Sequence, residues 1–255
     1  MKDLFKHYIY PIATLAGSII GVGFLSLPYI TLEVGFWPML FYFIAVTAII
    51  TLIHVVFAQI ALKTPDHKRF PGFVGFYLGN VAKVIILISV ILSSVAVMVI
   101  YLIVGSQFLH AMFSAWFGGS MIDYVLIYFI ACAVVIYFGI KTMSRFEFWA
   151  LLLLLTSLCI IAIKSAAHIT LGNIPFNTLL VAGNWKILFL PYGALMFALW
   201  GVGLIPEIEE TLAGRKKTLK KVIIIGTLIP AAIYFLFTLL ILGISGARTS
   251  ESALI

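Results

Sequence analysis

The sequence predicts an all-α integral membrane protein with about seven transmembrane helices, and three observations predict it. Of the 255 residues, 64% are hydrophobic and only 10% are charged, against about 25% charged in an ordinary soluble domain. Seven apolar stretches reach the roughly 20 residues that a spanning helix needs. The basic residues crowd into alternate gaps between those stretches, which is how membrane topology distributes them.

Composition also excludes other classes. A water-soluble core of this size cannot hide so much apolar surface. No ten-residue alternating pattern of a membrane barrel occurs, so each span satisfies its own backbone as a helix. The net charge of +7 is no nucleic-acid footprint, because its lysines and arginines lie in short gaps rather than on one solvated face. Cys132 and Cys159 fall inside apolar runs, where they read as small core residues rather than a disulfide or zinc ligands. The first apolar run is about 23 residues, long enough to span, and no small-residue cleavage site follows it.

The spans run Tyr8–Ile30, Phe36–Leu62, Val81–Val104, Met121–Ile140, Phe146–Ala167, Ile187–Ile208 and Val222–Ile244. The first holds Gly17, Gly21 and Gly23 near mid-span, followed by Pro28. Each interior glycine costs about 1 kcal/mol of helix propensity and proline about 3, and in lipid the freed backbone groups need new partners. Such a cluster predicts an interruption. Gly17 and Gly21 also form a small-xxx-small pair that lets two helices approach closely, and both roles can hold together. The tight turn to the second span carries Glu33 and Trp37, read as interfacial residues. Within the second span lies His54, an ionisable group at membrane depth. It is either a neutral histidine bonded to a neighbouring helix or a proton relay.

The third span contains Tyr101, read as packing or as a substrate-facing residue. The aromatic segment Gly105–Ser120 is expected to be a loop packed on the membrane surface. Spans four and five follow, and the loop His168–Lys186, with Gly172, Pro175 and Gly183, is the expected boundary between two structural halves. These are 1–168, a first five-helix repeat, and 187–255, the start of a second, inverted and truncated one. The sixth span repeats the device of the first: Gly201 and Gly203 near mid-span and Pro206 one turn on. Glu207, Glu209 and Glu210 end it, either as a solvated, ion-paired helix end or, for Glu207, as part of a gate or proton path. The seventh span has no lysine between Val222 and Ser245.

With the N-terminus inside, the inner segments hold all 16 basic residues except Lys164, Lys186 and Arg248. The first span then runs outward and the sixth inward. Two glycine-interrupted helices of opposite direction point to an inverted-repeat secondary transporter. The physics of a break suits a zwitterion. Carbonyls at the end of one half accept from an ammonium or sodium ion, and free N–H groups at the start of the next hold a carboxylate. A receptor or retinal protein fits poorly, since it places the N-terminus outside or needs a lysine in the last helix. A membrane assembly factor without transport activity is the other alternative. The scattered histidines show no metal spacing, and there is no P-loop or nucleophile elbow. The chain therefore reads as neither an enzyme nor a metalloprotein.

Gly17-Ser-Ile-Ile-Gly-Val-Gly-Phe-Leu-Ser-Leu-Pro28 resembles the first-helix motif G-[ST]-x-[IV]-G-x-G-x-L-x-L-P of the amino acid/auxin permease family and its bacterial aromatic amino-acid permease relatives. Pro206-Glu-Ile-Glu-Glu210 is similar to that family's acidic end of helix six. The resemblance implies the five-plus-five inverted-repeat fold of the amino acid–polyamine–organocation superfamily, in a multi-pass protein of the plasma (inner) membrane with its N-terminus cytoplasmic. It implies transport of amino acids coupled to protons or sodium, with no cofactor. Carried over by position, Gly17, Ser18, Gly21 and Gly23 contact the substrate's amino and carboxyl groups. Phe197, Ala198, Trp200, Gly201 and Gly203 line its side-chain pocket, suited to an aromatic or large neutral amino acid. Family members have a ten-helix core, so further C-terminal helices are expected as partners of this chain.

Overall fold

The computed structural model describes residues 5–65, 68–138, 140–166, 169–176, 185–212 and 216–250. Every regular element among them is helical. The first span is two helices, α1 (Tyr10–Ile19) and α2 (Leu27–Val34), joined by a 3-10 turn over Val22–Ser26 and bent by 54° at the break. The second span is one helix, α3 (Phe36–Lys63), entered through Gly35 at φ +88°. The sixth span is again split into two helices. Before it come α4 (Phe70–Phe117), α5 (Met121–Tyr137) and α6 (Ile140–Ser165). Then follow α7 (Leu190–Ala198), a 3-10 turn Val202–Leu204, α8 (Ile205–Thr211) and α9 (Lys216–Ser245).

Four of these spans are long and apolar enough to cross a membrane, or five if the bent pair is one span. The predicted fourth and fifth spans are also helical, but their apolar stretches, Met121–Tyr137 and Leu152–Ser165, fall short of the usual spanning length of roughly 20 residues.

One expectation is overturned. Gly105–Phe117 is not a loop, because α4 continues through it to Phe117. Apart from Gly105, a single glycine that a helix tolerates, nothing from Gln107 to Phe117 breaks a helix. Termination waits for Gly118 and Gly119, at φ +64° and +93°, where a side chain would be strained. The start also differs from Val81: helix begins at Phe70 and is interrupted at Gly79, φ +85° and ψ 177°. The stretch beyond Gly79 is about 57 Å long at 1.5 Å per residue, well over a hydrocarbon core of about 30 Å.

The described residues group into two compact units, 1–77 with 158–255, and 78–157. In the second, the hairpin of α4 and α5 closes where Gly105 meets the ring of Tyr128. Ser120 and Asp123 cap α5 reciprocally, and the Tyr124 hydroxyl donates to the Gly118 carbonyl at 2.6 Å.

In the first unit, α9 packs along α3 and α1, and α7 packs against α3 and the turn Val22–Ser26. Its core includes Leu15, Leu27, Ile50, Leu195, Leu199, Ile205, Ile223 and Leu242, all fully buried. The loop after α6 closes one end. The Asn173 side-chain amide donates to the Gly243 carbonyl at 3.0 Å, and the Phe36 N–H donates to the Pro175 carbonyl at 3.2 Å. The remainder of the expected half-boundary, 177–184, lies outside the described residues.

Candidate functional site

Both predicted interruptions exist, and the chain brings them together. In the first span the helix ends at Ile19, Ile20 turns to ψ 99°, and Gly21 is fully extended. The amide of Gly21 has no partner among the described residues. In the sixth span α7 ends at Ala198, and Leu199, Trp200 and Gly201 run non-helically into the next turn. Gly17 and Ser18 stay in the last turn of α1, where the Ser18 hydroxyl donates to the Leu15 carbonyl at 2.9 Å.

The two breaks pack reciprocally. A methyl group added at Gly23 would lie 2.9 Å from Phe197 Cδ1 and 3.1 Å from Ala198 Cα, so only glycine fits against the end of α7. One added at Gly201 would lie 2.6 Å from Ile19 Cγ1, so only glycine fits against the end of α1. Gly203 has open space around its Cα. Each break thus uses a glycine to receive the last turn of the other span's first half.

Two side chains that come from elsewhere hold this junction. Tyr234, fully buried on α9, places its hydroxyl 2.8 Å from the Ile19 carbonyl and 3.2 Å from that of Ala198. These are the final carbonyls of α1 and α7, the orphan acceptors that a helix end in lipid must satisfy. Its ring stacks on Phe24 at 5.1 Å, and Phe24 meets Phe237 edge-on at 4.7 Å.

His54, fully buried on α3, holds the other side. The Gly201 N–H donates to Nε2 at 3.2 Å, which leaves Nδ1 to carry the proton. Nδ1 lies 3.0 Å from the Thr227 hydroxyl, which donates onward to the Ile223 carbonyl at 2.9 Å. The neutral Nδ1–H tautomer satisfies every member of this chain. A second proton on Nε2 would point at the Gly201 N–H. His54 thus bonds to both the sixth span and α9.

Phe197 and Trp200 flank the junction, 45% and 47% exposed, while Ala198 is buried. Trp200 meets the His54 ring edge-on at 6.4 Å. Glu207 opens α8 behind Pro206 and pairs with Arg69 at 3.5 Å, and Glu210 reaches the same guanidinium at 3.9 Å. That partner lies between spans two and three, not in the basic cluster that follows α8 in sequence. Tyr101 is on α4 in the unit 78–157, 38% exposed, and so belongs to a different compact unit from the breaks. No group of three or more metal-ligating side chains occurs among the described residues.

Tyr234 and Thr227 were not among the residues that the sequence singled out. A tyrosine deep in an apolar span has a hydroxyl that requires a partner, and that signal was available. The identity of the partner was not.

The family model described as the tryptophan/tyrosine permease family matches residues 6–251. The chain is 22% identical over 226 residues to the tyrosine-specific transport system 1 of Haemophilus influenzae, covering 88% of this chain and 55% of that protein. The chain thus spans about half the length of the curated relative it matches. No solved structure matches it.

Proposed function

This chain belongs to the tryptophan/tyrosine permease family, and from that premise we propose that it forms the substrate-binding part of a secondary active transporter for aromatic amino acids. The observation that carries the proposal is the reciprocal packing of two helix breaks, Gly23 on Phe197–Ala198 and Gly201 on Ile19. The ends of α1 and α7 meet at one place, where the Tyr234 hydroxyl, not a charged side chain, faces their final carbonyls.

The free amide of Gly21 opens the second half of the first span, where the helix dipole favours a carboxylate. The remaining carbonyls at the ends of α1 and α7 suit an ammonium group. Phe197 and Trp200, half-exposed beside them, offer ring faces for an aromatic side chain. Gly17, Ser18 and Gly203 complete the lining. Alternating access then moves the segments around these breaks, driven by a proton or sodium gradient, in the five-plus-five arrangement of the amino acid–polyamine–organocation superfamily. Glu207 and its Arg69 partner act at the inner gate. The protein sits in the plasma membrane with its N-terminus cytoplasmic, and further C-terminal helices complete the transport unit.

The test is uptake of a radiolabelled amino-acid panel into proteoliposomes holding the full native reading frame, under imposed proton or sodium gradients. Gradient-driven uptake of tyrosine or tryptophan, lost in Gly21→Leu and Gly203→Leu, is the expected result. A folded protein that moves no amino acid under either gradient overturns the proposal.

A further inference from the structure

A second feature lies where the C-terminal end of α3 meets the N-terminal end of α9. There an open groove of about 290 Å³ runs between the two helices. Its floor is apolar: Val55, Ala58 and Leu62 on one face of α3, with Leu219 of α9 opposite. Its rim is basic: Lys63 from α3, and Lys217 and Lys220 one turn apart on α9. Among the described residues none of these three lysines has an ion-pair partner, and no carboxylate lines the groove. Of the acidic groups at the end of span six, Glu207 and Glu210 pair with Arg69.

The charge is also placed against the helix dipole. Lys216, Lys217, Lys220 and Lys221 occupy the first turns of α9, with no acidic residue in the first turn. Cations at a helix N-terminus meet its positive end and one another, and both terms are unfavourable until an anion is present. Lys63, in the last turn of α3, adds its charge from across the groove.

We propose that this groove binds an anionic phospholipid, its phosphate among Lys63, Lys217 and Lys220 and an acyl chain along Val55, Ala58 and Leu62. The apolar floor selects a lipid over a free anion. Both helices pass from the basic rim directly into their spanning portions, so the groove opens from headgroup depth toward the hydrocarbon. Basic clusters next to a spanning helix attract anionic lipid headgroups. This inference stands apart from the transport proposal.

The test is native mass spectrometry of the protein released from nanodiscs of mixed phosphatidylglycerol and phosphatidylcholine. The wild type is compared with Lys63→Gln/Lys217→Gln/Lys220→Gln and with Gln59→Trp, which fills the groove from an exposed position and keeps every lysine. Circular dichroism checks that both variants fold. The expected result is preferential retention of phosphatidylglycerol, reduced at least roughly tenfold in the triple variant and reduced also by Gln59→Trp. Excess inorganic phosphate is expected to leave retention unchanged. Equal retention of both lipids, retention unaltered in the folded triple variant, or full displacement by inorganic phosphate would each overturn the proposal.

Discussion

The hydroxyl of Tyr234 and the carbonyl of Ile19 are joined by a 2.8 Å hydrogen bond across 215 positions of sequence. It matters because Ile19 is the last residue of α1, and the same hydroxyl lies 3.2 Å from the last carbonyl of α7. One phenol therefore faces the ends of both interrupted helices. Tyr234→Phe keeps the ring on Phe24 and removes only the donor. Leaving buried acceptors unpaired costs about 1–3 kcal/mol, so thermal unfolding of the purified variant is expected at a lower temperature. An unchanged unfolding temperature would mean that the two carbonyls find other donors.

Gly201 and Ile19 are expected to couple. A methyl at Gly201 collides with Ile19 Cγ1, and overpacking of this kind costs about 1–3 kcal/mol. Ile19→Ala removes the obstructing atoms, so the double variant should recover part of the loss. A double-mutant cycle in denaturant should give an interaction energy of about 0.5–3 kcal/mol. Strict additivity would place the two residues out of contact.

Substituting His54 separates its two bonds. His54→Leu leaves the Gly201 N–H without an acceptor at the break, whereas Thr227→Val removes only the hydroxyl behind the imidazole. Each unpaired buried group costs about 1–3 kcal/mol. His54→Leu is expected to lower stability more than Thr227→Val, as measured by chemical denaturation in detergent. The reverse order would show that the Thr227 hydroxyl, not the imidazole, organises the sixth span.

The Arg69–Glu207 pair is solvent-facing, with about half of each side chain exposed. Exposed pairs contribute about 0.2–1 kcal/mol and are screened by salt. Arg69→Gln should therefore barely move the unfolding temperature but change the rate of gradient-driven uptake. The swap Arg69→Glu/Glu207→Arg should restore that rate in part. A large loss of stability in Arg69→Gln would assign the pair to the core instead of a gate.

The parts of this architecture that local chemistry dictates could be read from the sequence. Gly17, Gly21, Gly23 and Pro28, and again Gly201, Gly203 and Pro206, mark the two interruptions within a few residues, because glycine and proline act through their own backbone. The parts that depend on distant partners could not. Nothing near Tyr234 or His54 in sequence announces Ile19, Ala198 or Gly201, and Arg69 is distant from Glu207 in the chain. The segment Gly105–Phe117 misled for a different reason. Its aromatic, mixed composition matches an interfacial loop as well as a helix, and only the glycine pair at 118–119 fixes where α4 ends.

The central claim is that the paired breaks hold an aromatic amino acid, and equilibrium binding tests it most directly. Radiolabelled tyrosine and tryptophan would be titrated onto the purified full reading frame in lipid, beside Gly23→Leu and Trp200→Ala. The account predicts saturable binding in which each amino acid displaces the other, abolished by Gly23→Leu and weakened by Trp200→Ala. A folded protein with no saturable binding of either, or with binding indifferent to both substitutions, would contradict it.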